Sequence, residues 1–356
     1  MSNQIKNEFT EQPTEMSLRE ELSQSQARLD GAIDLLKSIR SAALYRLLRK
    51  MGRWGWMDKK IQSVIENLPV FGDPAAKPVS QKANSATSLQ EFVNSIDEYN
   101  SSQPNADLLH AIRQYNHEML DQFHQTYSLY GKTMLDIGAS PHGYALEQAL
   151  QRGVSFYTGI TLSLEEPVYI HGDSNQNGIL LKMDATDLRF PDRYFDTVFS
   201  ISTFEHILDI EKALAEIKRV LKTGGYAFLS FEPIWSSPAG HHLHHFGECS
   251  KVVPSWAHLV WAAEEMRSEL SEKWPADAPV SLAEAVNWVY LDEGLNRKSL
   301  RDFKKAFENC GLVIEWLVES RAESINHQYA ERASRKTGLG SQELEIQGLS
   351  ILFKKQ

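Results

Sequence analysis

Residues 134–146 read MLDIGASPHGYAL. Met134, Leu135 and Ile137 form an apolar run broken by a single acid, Asp136, and the run stops at the small residues Gly138, Ala139 and Ser140. A helix pattern then opens near Tyr144. A strand that ends on an acid and turns tightly into a helix is the opening unit of a doubly wound sheet, in which ligands lie beyond the carboxyl ends of the strands. Small residues let the backbone approach such a ligand closely, and the helix start offers it unpaired N–H groups. A turn can need glycine for geometry alone, so the rest of the chain has to decide between the two readings.

Downstream the pattern alternates between strand and helix. Strands are expected at Thr133 to Ala139, Ser155 to Ile160, Ile179 to Asp184, Phe195 to Ser202 and Gly225 to Phe231. Between the last two, Asp209 can cap a helix with Ile210, Ala213, Leu214, Ile217, Val220 and Leu221 on one face, and Gly224 can end it. Another helix is expected from about Asn105 to Tyr127. Such alternation implies a parallel sheet covered by helices. A helix near Leu300 to Asn309 precedes GLVIEWLVES and LSILFKKQ, two strands joined without a crossover helix pattern, which suggests an antiparallel pair at the sheet edge. The expected fold is α/β: a doubly wound, mostly parallel, seven-stranded sheet with an antiparallel edge strand and a helical insertion at 234–297.

Composition narrows the function. The chain has 356 residues, 42% of them apolar, enough for a large core, and a net charge of −10. That charge argues against nucleic acid as a partner, because affinity for a phosphate backbone comes from Lys and Arg. Cys249 and Cys310 lack the paired spacing of a zinc site or disulfide framework. Neither a signal-like apolar run nor a stretch of ~18 apolar residues occurs. These features fit a cytoplasmic protein whose membrane contact is peripheral.

The first 71 residues read differently from the rest. Leu18, Leu22, Leu29, Leu36, Ile39, Ala43 and Leu47 recur at helical steps, as in an amphipathic helix or short coiled coil through which copies of the chain could pair. Lys37 to Lys60 carries eight Lys or Arg against one Asp, with Trp54 and Trp56, a composition suited to an anionic membrane surface. Residues 72–90, rich in Pro, Ala and Ser, read as a flexible linker, and 91–356 as the main domain.

Asp184 ends the third expected strand, where a carboxylate can accept from an adenine amino group while the Ala185 N–H meets a ring nitrogen. LDIGA (135–139), DATDLRFPDRYFDTVFS (184–200), FEHI (204–207) and ALAEIKRVLKTGGY (213–226), in this order and spacing, resemble the class I methyltransferases that use S-adenosylmethionine. The resemblance covers Thr133 to Glu232 and, more loosely, the last 45 residues. It implies a cofactor pocket lined by Asp136, Gly138, Ala139, Ser140, Thr161, Glu166, Asp184, Ala185 and Ser200. The chain departs from the family in three places. Ser140-Pro141-His142-Gly143 stands where a second glycine is usual, so His142 is expected to narrow the pocket. Thr161, with Glu166 five residues on, replaces the acid that ends the second strand, as in the cyclopropane fatty acid synthase branch. Thr223 stands where proline is common.

On the substrate side, family positions place Glu205 and His206 facing the acceptor, with His241 or His242 as further candidates. An alcohol acceptor benefits from a general base that titrates near the working pH, which favours His or a raised Glu. His241, His242, His244 and His245 invite a metal reading, but no carboxylate or Cys is spaced to complete a site, so no metal is expected. Residues 233–297 hold five of the eight tryptophans. They could form an aromatic wall for a sugar ring or the core of a small subdomain. SIRSAALYRLLRKMGRW (38–54) resembles linkers found in bacterial polysaccharide glycosyltransferases and their companion methyltransferases. Together these features lead to O-methylation of a sugar hydroxyl on a surface glycan or its lipid-linked precursor, with glycosyltransferases as partners. The rivals are methyl transfer to a lipid double bond and a non-catalytic assembly subunit.

Overall fold

The computed structural model describes residues 87–103, 106–164, 167–172, 176–243, 251–276, 278–323 and 326–356, without the side chain of Leu108. The N-terminal helix and basic segment of 1–71, the linker up to residue 86, Glu166, His244 and His245 lie outside the described residues.

The described chain opens with a two-residue strand, β1 (Thr87–Ser88), and α1 (Leu89–Ser102). Ser88 caps α1 in a reciprocal box with Glu91, so the end of the expected linker belongs to the folded domain. Then come α2 (Ala106–Thr126), β2 (Thr133–Ile137), α3 (Tyr144–Gln151), β3 (Phe156–Thr161), β4 (Val168–His171), β5 (Asn177–Lys182), β6 (Phe195–Ile201), α4 (Ile210–Val220) and β7 (Leu221–Phe231). The insertion carries α5 (Ala257–Val260), α6 (Ala263–Leu270) and α7 (Leu282–Tyr290). It is followed by α8 (Leu300–Asn309), β8 (Val313–Arg321), α9 (His327–Thr337), α10 (Ser341–Leu344) and β9 (Ile346–Lys354).

Among the described residues the strands form one sheet in the order β1-β4-β5-β3-β2-β6-β7-β9-β8. The five central strands β5, β3, β2, β6 and β7 run parallel, and they are the five expected from the sequence. β9 is antiparallel to both β7 and β8, which confirms the terminal pair. The expectation of seven strands is corrected to nine. β4 folds back antiparallel on β5, and β1 pairs with β4 at that edge. Both are too short to show a periodic pattern.

α4 forms as its cap predicts: Asp209 accepts from the Lys212 N–H at 2.9 Å, and Ile210, Ala213, Leu214, Ile217 and Val220 are buried. It stops earlier than expected, at Val220, because Leu221 already pairs with Phe195 of β6. α1, α2 and α3 bury Phe92, Ile96, Leu120, Phe123, Leu146 and Leu150 in one core with Phe199 and Phe228 of the sheet. The Phe123 ring lies 6.2 Å from Phe199 and 5.5 Å from Phe228, and each buried aromatic contributes about 1.5–3 kcal/mol. His117 and His124 are half-buried on α2. His117 Nε2 donates to the Tyr144 carbonyl at 3.0 Å, and His124 Nδ1 accepts from the Leu129 N–H at 3.3 Å.

The insertion builds its own core. Trp256, Trp261, Met266, Leu270, Val286 and Val289 are buried together with Ala330 and Ala333 of α9. α9 therefore lies between β8 and β9 without crossing the sheet, because its apolar face is used by the insertion. Trp256 is fully buried, and its indole N–H reaches the carbonyls of Ser236 and Leu344. The aromatic wall is thus replaced by a packed subdomain. Among the described residues no helix is long and apolar enough to cross a membrane.

Candidate active site

Asp136 is the penultimate residue of β2, and its carboxylate is buried and accepts from the Tyr157 hydroxyl of β3. Burial pushes the Asp136 carboxyl up to about 7, against the opposing pull of that hydrogen bond. The chain then hooks onto the next strand: the N–H groups of Gly138 and Ala139 both donate to the Ile160 carbonyl at 2.9 Å. Gly138 is exposed with φ 78°, and a Cβ built on it would lie 2.0 Å from Thr203 Oγ1. Only glycine fits this approach of the β2 loop to the β6 loop.

The loop continues through Ser140, whose hydroxyl accepts from the His142 N–H at 3.1 Å. His142 does not narrow a pocket by itself; its ring stacks on Tyr99 of α1, with centres 4.2 Å apart. Phe92 of α1 leaves no room for a side chain at Gly143, and Asn100 accepts from the Tyr144 hydroxyl at 2.9 Å. α1 therefore packs over the loop that opens the site.

At the neighbouring strand ends, Thr161 closes β3, and its hydroxyl accepts from the Ser163 N–H at 3.3 Å. Asp184 follows β5 and is exposed, its carboxylate held by the Thr186 N–H at 2.8 Å and the Thr186 hydroxyl at 2.9 Å, with Ala185 half-buried between them. Asp136, Gly138, Ala139, Ser140, Thr161, Asp184 and Ala185 thus stand at adjoining ends of β2, β3 and β5. Ser200 is the penultimate residue of β6. It is buried within β6 and donates to the Ile137 carbonyl at 2.8 Å, tying two strands together.

The turn after β6 carries Glu205 and His206. Glu205 is 3% exposed, and burial, then the charge of Glu232, hold its carboxyl well above the ordinary carboxylate range. His206 Nδ1 lies 2.6 Å from the Gly294 carbonyl. A carbonyl only accepts, so Nδ1 bears the proton and Nε2 the lone pair. Burial lowers the His206 pKa, keeping the ring neutral. Its Nε2 stands 3.9 Å from Glu205 Oε1.

Sequence reasoning missed the support for this turn. Asn296, at the end of the insertion, donates from Nδ2 to the carbonyls of Phe204 (2.6 Å) and Ile207 (3.0 Å) and from its N–H to the Glu205 carbonyl (3.1 Å). One asparagine therefore clamps the whole turn, and no motif in the sequence marks it. The two leading histidines of the HHLHH run separate. His242, with φ 56°, donates from Nε2 to the Pro233 carbonyl at 2.8 Å and places its ring 5.1 Å from His206. His241 is buried, accepts from the Leu243 N–H at 3.0 Å and faces His258. His242 thus joins the site beside Glu205 and His206, whereas His241 belongs to the insertion.

Residues 135–229 match a family model described as a methyltransferase domain. Norajmaline N-methyltransferase of Rauvolfia serpentina is 36% identical over 118 residues, 32% of this chain and 40% of that protein. The fatty-acid O-methyltransferase of Mycolicibacterium smegmatis is 32% identical over 97 residues, 27% of this chain and 35% of that protein. The chain covers less than half the length of either relative. Among solved structures, an S-adenosylmethionine-dependent methyltransferase from Mesorhizobium loti aligns over 67% of this chain and 98% of its own, with 17% identity and a TM-score of 0.41.

Proposed function

We propose, from a chain that carries a methyltransferase domain over residues 135–229, that the protein is an S-adenosylmethionine-dependent methyltransferase acting on a hydroxyl group. The observation that carries the hydroxyl is His206, a neutral imidazole whose proton is fixed on Nδ1 by the Gly294 carbonyl, 2.6 Å away, leaving Nε2 as a base. A hydroxyl must lose its proton as it is methylated, and a base near neutrality accelerates that step by about 10²–10⁴.

The strand ends fit the cofactor. Asp136 is a buried acid with a single hydroxyl donor, suited to an ammonium group. The bare backbone at Gly138 gives close approach, and Asp184 with Ala185 offers an acceptor and an N–H for the adenine. Thr161, at the end of β3, is the proposed polar group on the ribose side, and Glu166, outside the described residues, the proposed second one. When bound, S-adenosylmethionine supplies a sulfonium methyl as the electrophile. The chain's own work is orientation and proton removal. Asn296 fixes the turn, Gly294 fixes the tautomer of His206, and buried Glu205 and His242 flank the base.

The finer reading, a sugar hydroxyl on a surface glycan or lipid-linked precursor handled at an anionic membrane face beside glycosyltransferases, rests on the resemblance of residues 38–54. The test is to incubate the full chain with labelled S-adenosylmethionine and either bacterial surface polysaccharide, lipid-linked saccharide or lipid extract, then locate the methyl by NMR. A methoxyl on the saccharide supports the proposal. Label on nitrogen, or on a lipid carbon, would reject it.

A further inference from the structure

We propose that Glu205 and Glu232 form a subsite for a basic nitrogen, so that the acceptor presents a protonated amine near the hydroxyl it offers for methylation. This deepens the hydroxyl reading and rests on it.

Glu205 is 3% exposed, yet its Oε2 has no hydrogen-bond partner. An unpaired carboxyl oxygen is costly to bury, so its retention calls for a partner that arrives from outside the fold. Glu232 follows directly on β7, whose Ser230 carbonyl accepts from the Ser202 N–H at 2.8 Å, so it leaves the sheet beside the turn that carries Glu205, and its charge opposes ionisation of that acid. It is held in place: Ser320 Oγ donates to Glu232 Oε2 at 2.9 Å. Gly348 of β9 clears the space, since a Cβ there would lie 2.4 Å from Glu232 Cβ and 2.9 Å from Oε2.

The described groups around Glu205 bring no positive charge. Among the described residues no Lys or Arg pairs with Glu205 or Glu232, and the neutral imidazole of His206 is the nearby base. Tyr115 of α2 feels both carboxylates, and its hydroxyl lies 3.4 Å from Ser230 Oγ, itself 2.8 Å from Ser350 Oγ. Two coupled acids, one of them buried with an open oxygen and edged by neutral hydroxyls, match an ammonium better than a neutral or anionic group. Glu232 is exposed and keeps the entrance to the pair acidic, while the buried, unpartnered oxygen of Glu205 is left for the ammonium to satisfy.

The test uses the full chain saturated with S-adenosylhomocysteine and two matched pairs of probes, 2-aminoethyl glucoside against ethyl glucoside and tyramine against 4-ethylphenol, with affinity read by saturation-transfer NMR. Each amine is expected to bind at least about ten-fold more tightly than its neutral counterpart, a modest demand on a charge pair at about 4 Å. In Glu232→Gln and in Glu205→Gln the preference should shrink to within about two-fold, while S-adenosylhomocysteine affinity, which also reports folding, stays unchanged. Equal binding within both pairs with S-adenosylhomocysteine in place would overturn the subsite alone. So would a preference that survives both substitutions, or no binding by either amine. Failure of S-adenosylhomocysteine to bind the wild-type chain would instead overturn the methyltransferase reading, and the subsite with it.

Discussion

Replacing Gly138 with alanine probes the contact that shapes the mouth of the site. The new Cβ would stand 2.0 Å from Thr203 Oγ1, 2.4 Å from Thr203 Cγ2 and 2.7 Å from Thr203 Cβ. Thr203 cannot swing aside freely, because its hydroxyl donates to the Ile201 carbonyl at 2.8 Å. Overpacking of this kind costs about 1–3 kcal/mol, and a non-glycine residue at φ 78° costs a further ~1–2 kcal/mol. Gly138→Ala should therefore lose about 2–5 kcal/mol, a large share of the ~5–15 kcal/mol that holds an ordinary domain together. The two parts separate in a double-mutant cycle with Thr203→Gly, which deletes all three clashing atoms and leaves the backbone strain. Urea unfolding of the four proteins should give a coupling of about 1–3 kcal/mol in favour of the double mutant. A Gly138→Ala protein within about 1 kcal/mol of wild type, or strict additivity, would refute the steric account. The first obstacle to a side chain at Gly138 is therefore the β6 loop.

Asp136 sets a pH dependence. Its carboxyl is pushed up to about 7, so the stability it contributes is present below the ordinary carboxylate range and is lost as pH rises through 7. In cofactor-free protein, denaturation from about pH 4 to 8 should show Asp136→Asn gaining on wild type as pH rises; parallel profiles would reject the assignment. His258 gives the opposite slope. Burial lowers it to about 4, so its contribution is full above about 6.5 and fades as pH falls toward 4, by about 3 kcal/mol in all. His258→Leu should flatten that acid limb, and an unchanged acid midpoint would count against it. His206→Gln should lower turnover by about 10²–10⁴ with S-adenosylhomocysteine affinity nearly unchanged; activity within a few-fold of wild type would remove His206 as the base.

The sheet was legible because its signals are local. Each central strand is a short apolar run bounded by turn residues, and α4 and α8 carry their own caps at Asp209 and Ser299. What stayed hidden depends on distant partners. Val168–His171 is a strand only because β5 offers it an edge, and α9 is amphipathic toward the insertion rather than toward the sheet. The tryptophans of the insertion show the same limit: composition is the same for a binding wall and for a core, and only the burial of Trp256 and Trp261 decides between them. The cofactor loop was readable since Asp136 to Gly143 is one continuous segment. Tyr157, Asn296 and Glu232 were not, because each reaches its partner across many residues with no motif to mark it.

Glu205 and His206 show why residue type and adjacency leave the chemistry open. At 3.9 Å they meet a distance criterion for an ion pair. Burial, however, raises the acid and lowers the base, so desolvation drives both toward their neutral forms, and no charge in the described surroundings reverses either shift. Had they been paired as ions, Nε2 of His206 would already hold a proton and could not take one. As neutral neighbours they leave the imidazole lone pair available and the carboxyl poised to ionise when a positive charge enters. The Gly294 carbonyl, fixing which nitrogen bears the proton, and the Asn296 clamp, fixing where the turn sits, complete that state. Both come from the far end of the insertion, so the 234–297 segment shapes the turn that carries the proposed base.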